Sequence, residues 1–64
     1  MTLKELCTKN KITFLEISKS TGISTVYLSQ LNTGFKRNPS LGIVSKISNV
    51  LKVSMEEVQK TIKS

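Results

Sequence analysis

The sequence predicts an all-α fold: five short helices packed as one compact domain over residues 1–64. Three observations predict it. Helix start signals recur along the chain, stop signals interleave with them, and apolar residues between the two recur at helical spacing. No segment alternates apolar and polar residues at period two, so no strand is expected.

The first helix is expected at residues 3–9. Thr2 and Glu5 form a capping box, Met1 and Leu6 stand at staple spacing, and Leu3, Leu6 and Cys7 share a face. Asn10 is expected to close it in a left-handed conformation. The second, residues 14–21, begins with the Thr13–Glu16 box and the Ile12–Ile17 staple and stops at Gly22. The third, residues 25–33, has Ser24 as cap, Ile23 and Leu28 as staple, Leu28 and Leu31 on its inner face, and Gly34 at its end. The fourth, residues 41–51, follows Pro39-Ser40 and carries Leu41, Val44, Ile47 and Leu51 at helical spacing, flanked by Ile43 and Val50. The fifth, residues 55–62, starts from the Ser54–Glu57 box and the Val53–Val58 staple, with Met55, Val58 and Ile62 as its apolar stripe.

Composition narrows the function classes. Ten Lys and Arg against four Glu give a net charge of +6 on 64 residues, a field suited to polyanionic partners such as nucleic acid. With no His, no Asp and one Cys, no metal site is expected, nor a proton shuttle or catalytic triad; no cofactor is expected either. Three of the four Glu residues stand in capping boxes, and no Gly-rich phosphate loop is present, so the chain is not expected to be an enzyme. Cys7 is expected to pack as a small hydrophobe in a reduced, intracellular protein. No run is apolar enough for a membrane span, and the first residues are too polar for a signal peptide.

The informative stretch runs from Thr13 to Gly34. Two short helices are joined by Thr21-Gly22-Ile23-Ser24, a connection whose length and glycine suit a tight helix-turn-helix, with Ile23 plugging the core and Ser18 permitting close approach. This stretch resembles the Cro/repressor type of helix-turn-helix proteins of phages and bacterial regulators. Thr13-Phe14-Leu15-Glu16-Ile17-Ser18-Lys19-Ser20-Thr21-Gly22-Ile23-Ser24 is similar to the family's second helix and turn. Ser24-Thr25-Val26-Tyr27-Leu28-Ser29-Gln30-Leu31-Asn32-Thr33-Gly34 is similar to its third. Asn38-Pro39-Ser40-Leu41 matches a family motif, and Lys46-Ile47, Leu51 and Val53-Ser54 fall in register, so the resemblance runs over nearly the whole chain. Two positions depart from the pattern: Phe14 stands where the family usually has Gln, and Lys52 where it often has Gly. A left-handed backbone at Lys52 costs about 1 kcal/mol relative to Gly.

The resemblance implies a cytoplasmic, bacterial or phage-encoded transcriptional regulator that binds double-stranded DNA, most simply as a repressor. It implies that the third helix enters the major groove, with Thr25, Val26, Ser29 and Gln30 reading bases. Thr13, Tyr27, Thr33, Lys36, Arg37 and Asn38 are the candidates for phosphate contact, with Tyr27 alternatively packing over the turn. A homodimer on an inverted-repeat operator is implied, with Val58 and Ile62 as the expected interface, although a stripe at that spacing also suits the core. The apolar residues Phe14, Leu15 and Phe35 support a second reading, a protein-binding antagonist or antitoxin-like module on the same scaffold. At least one of Phe14 and Leu15 is expected to face outward, and Phe14 is expected to brace the recognition helix by packing on Phe35 or Tyr27.

Overall fold

The computed structural model describes residues 2–36 and 38–62. The Met1–Leu6 staple and the role expected of Arg37 therefore lie outside the described residues. Five helices follow one another: α1 (Leu3–Lys9), α2 (Phe14–Thr21), α3 (Thr25–Thr33), α4 (Leu41–Leu51) and α5 (Met55–Ile62), with no strand among the described residues.

Each start is closed by a hydroxyl of the preceding residue. Thr2, Thr13, Ser24, Ser40 and Ser54 accept the backbone N–H groups of Glu5, Glu16, Tyr27, Ile43 and Glu57, at 3.0–3.3 Å. Each satisfies one of the donors that a helix leaves free in its first turn. At Thr2 and Thr13 the box is reciprocal, because the carboxylates of Glu5 and Glu16 accept the backbone N–H of the capping threonine. Holding its charge on these bonds keeps the Glu5 carboxyl below its usual pKa, the backbone N–H of Thr2 being the main cause.

The ends are less uniform. Gly22 (φ 80°) and Gly34 (φ 87°) take the left-handed backbone expected of them. Asn10 does not: its φ is −95°, and the left-handed residue is Lys11 at φ 59°. The reason lies in the hydrogen bonds. Ile12 N–H donates to Cys7 C=O (2.9 Å) and Lys11 N–H to Thr8 C=O (3.0 Å), the pairing of a Schellman motif one residue beyond the expected stop. Asn10 instead turns its side chain back, donating Nδ2 to Leu6 C=O at 2.9 Å. Lys52 is left-handed as well (φ 59°), and Val53 N–H closes that turn on Ser48 C=O at 3.1 Å.

The helices enclose one core of Leu3, Leu6, Cys7, Ile17, Ile23, Leu28, Leu31, Val44, Ile47, Leu51, Val58 and Ile62. α5 lies against α4, α1 and α3, while α2 lies against α3 and α4. Val58 and Ile62 are 0% and 4% exposed, so the expectation that they form a dimer interface is not met. With helices on several sides of α5, its apolar stripe is consumed within the chain. Cys7 is equally enclosed, and burial pushes its thiol up to about 11, which keeps it protonated and unreactive at neutral pH. The buried hydroxyls of Ser48 and Thr61 donate to the carbonyls of Ser45 and Val58, so neither disturbs the core.

Candidate nucleic-acid interface

α2 and α3 are set against each other by the four residues between their ends. Gly22 N–H donates to Ser18 C=O (2.8 Å), and Thr21 Oγ1 donates to Ile17 C=O (2.7 Å) while accepting Ile23 N–H (3.2 Å). A Cβ built on Gly22 meets nothing within 4 Å, so glycine serves here for its backbone freedom alone. Ile23 is driven inward to 6% exposure, and Ser24 then starts α3. Tyr27, half-buried, packs over this turn beside Ile43 and Lys46 of α4.

Leu28 (0%) and Leu31 (1%) fix which side of α3 is buried. The helical period then turns Val26, Ser29 and Thr33 to the opposite side, with Thr25 at the leading end. All four are exposed, Val26 at 65%, and Gln30 beside them is half-buried. The structure thus brings the four expected base readers onto one outward surface. After Gly34, Lys36 N–H donates to Gln30 C=O at 3.1 Å and Thr33 Oγ1 donates to the same carbonyl at 3.3 Å. The basic loop is thereby folded back on the end of α3, with Lys36 and Asn38 exposed.

Thr13 lies at the head of α2, where its hydroxyl is engaged by Glu16 N–H. The N–H groups of Phe14 and Leu15 in that first turn have no acceptor within the helix and point along the positive end of its dipole. The Glu16 carboxylate is held at the same end by Thr13 N–H, so the anion-attracting end of α2 already carries one negative charge.

The two apolar residues of this turn part company. Leu15 is 56% exposed, whereas Phe14 is half-buried against the core, and both border one depression with Cys7, Thr8 and Ile12. Phe14 is thus the one of the two that packs inward. Of the two partners expected for Phe14, Phe35 or Tyr27, Phe35 stands 76% exposed, while Tyr27 packs against the same core.

Sequence reasoning missed Asn32. Its Oδ1 accepts the backbone N–H of Lys4 at 2.9 Å, joining the far end of α3 to the first turn of α1. Lys4 N–H is one of the donors that α1 leaves free, so a side chain twenty-eight positions away supplies a second cap. No local pattern signals this bond, because its partners meet only once both helices are docked.

A family model described as Helix-turn-helix matches residues 3–58. No curated protein and no solved structure matches the chain.

Proposed function

The chain belongs to the Cro/C1-type helix-turn-helix family of DNA-binding regulators, and from that premise we propose that it is a sequence-specific binder of double-stranded DNA acting as a repressor. The observation that carries this reading is the outward surface of α3. Thr25, Val26 and Ser29 are exposed, with Gln30 beside them, on a helix whose other side is anchored by Leu28 and Leu31. A helix about 10–12 Å across fits a major groove about 12 Å wide. In this reading Thr25, Val26, Ser29 and Gln30 meet base edges. Thr13, Tyr27, Thr33, Lys36, Arg37 and Asn38 meet phosphates, and the +6 charge supplies the sequence-independent part of the affinity. No part of this proposal involves catalysis or a cofactor.

Few base contacts per domain discriminate poorly among genomic sites, so the proposal includes two protomers on an inverted repeat, with half-sites about 34 Å apart. Their contact surface excludes Val58 and Ile62, which are buried within each protomer.

Fluorescence anisotropy on duplexes selected from a random pool tests the reading. Gln30→Ala is expected to lower affinity for the best site by about 1–3 kcal/mol and to relax preference at one base pair. Lys36→Ala is expected to weaken every duplex alike and to reduce the salt slope by about 1. Equal effects of both substitutions on all sequences would show that α3 is not the reader.

The exposure of Leu15 and Phe35 favours one second reading, a protein-binding antagonist on the same scaffold. Under that reading Leu15→Gln leaves DNA binding by the purified protein unchanged and abolishes regulation only where the protein partner is present.

A further inference from the structure

No charged residue stands between Lys19 and Lys36, in a chain where 22% of residues are charged. That interval contains the whole turn, all of α3 and Phe35. The reading surface therefore lacks both charged kinds of base reader. It has no Arg or Lys to pair with guanine O6 and N7, and no Asp or Glu to accept from cytosine N4. What it offers is a methyl-bearing patch. Val26 is the one large apolar side chain of α3 left exposed among the described residues, and Thr25 and Thr33 are exposed on the same helix. Gln30, at its margin, carries a donor and an acceptor on one amide, the pattern that matches adenine N7 and N6. In the major groove only thymine presents a methyl group.

We propose that this surface recognises A·T-rich half-sites through thymine C5-methyl groups, with Val26 as the central specificity residue and Thr25 beside it. The inference rests on the reading of α3 as the groove-entering helix and adds the class of base sequence that the helix accepts. An exposed valine gains nothing from water and loses its exposed surface against a methyl group, which makes the contact favourable without any charge. Discrimination then has a different salt dependence from affinity. Phosphate contacts weaken as counter-ion concentration rises, whereas an apolar contact on a neutral base edge does not.

Replacing thymine by deoxyuridine removes the methyl group and leaves every hydrogen-bonding edge in place, so it isolates the proposed contact. Two pools of synthetic duplexes with a random core, one prepared with thymidine and one with deoxyuridine, would be selected in parallel on the full chain. The thymidine pool is expected to yield a motif rich in A·T pairs. Deoxyuridine placed singly in that motif is expected to weaken binding about four-fold at each contacted position. The ratio between thymidine and deoxyuridine duplexes should stay constant from low to high salt while both affinities fall. Val26→Ala, at an exposed position that the fold does not depend on, should retain the wild-type melting temperature and lose the discrimination at one position. Replacing a contacted T·A pair by 5-methylcytosine·G should bind better than cytosine·G at that position. A selected motif with G·C at the contacted positions, or equal affinity for thymidine and deoxyuridine duplexes, would overturn the inference and leave the broader reading standing. No enriched motif in either pool would remove both.

Discussion

The helices that make the turn and the helices that flank it end differently. α2 and α3 stop at Gly22 and Gly34, while α1 and α4 stop at Lys11 and Lys52, and all four residues hold a left-handed backbone. For glycine that conformation is free of Cβ strain, whereas for lysine it costs about 1 kcal/mol or slightly more. The charge distribution sets α3 apart on its own, since α3 and its preceding turn carry none while α1, α2, α4 and α5 each carry at least one lysine. The outward surface of α3 is thus neutral, and α3 ends without Cβ strain. The flanking helices keep their cations and accept strain to place two of them at helix C-termini, where the helix dipole favours positive charge. The comparison teaches that this small domain accepts backbone strain at two helix ends and avoids it at both ends that set the position of α3.

The comparison breaks most severely if the buried side of α3 is emptied. Leu28→Ala is expected to destabilise by about 2–5 kcal/mol, against a total stability of about 3–10 kcal/mol for a chain of this size. Chemical denaturation followed by circular dichroism measures it. A loss below about 1 kcal/mol would mean that α3 is not anchored where its burial places it. Opposite-signed substitutions at the helix ends sharpen the contrast. Lys52→Gly should raise the melting temperature by about 4–8 °C, the shift that about 1 kcal/mol produces in a domain of this length. Gly22→Ala should lower it by a similar amount, through the backbone alone, since the added Cβ meets open space. If Lys52→Gly has no effect, the left-handed lysine carries no strain and the contrast between the two pairs of ends collapses.

The smallest effect is expected at the α1 cap. Glu5 has its pKa held below the usual 4.5 by the hydrogen bonds it makes with Thr2. The stabilisation is therefore complete above about pH 4.5 and is lost as the pH falls through the lower, folded-state pKa. Removing the carboxylate by Glu5→Gln should lower stability slightly at neutral pH and leave it nearly unchanged at acid pH, which flattens the acid limb of the stability profile. A variant whose acid limb superimposes on that of the wild type would show that the box contributes nothing there.

Much of this architecture could be read locally. The bounds of all five helices follow from caps, staples and apolar period, because each of those signals acts over about four residues and needs no partner from elsewhere. The helix-turn-helix at Thr21–Ser24 and the outward set Thr25, Val26, Ser29 and Gln30 follow for the same reason, since knowing that Leu28 and Leu31 point inward fixes the rest of a nine-residue helix.

What tertiary structure decided is what depends on docking. Val58 and Ile62 form an apolar stripe that sequence alone leaves open to core or interface, and the packing of α5 against three other helices assigns it to the core. Phe14 and Leu15 are adjacent and both apolar, yet only the docking of α2 on the core decides that Phe14 turns inward and Leu15 outward. Asn10 has the better intrinsic preference for a left-handed backbone, but the carbonyls of Cys7 and Thr8 find their donors on Ile12 and Lys11, so the strain falls on Lys11. The bond from Lys4 N–H to Asn32 Oδ1 joins segments that have no reason to meet until the core has closed. Short-range hydrogen bonding determines where helices start, whereas the side chain each face presents to its neighbour is settled by burial shared among several helices at once.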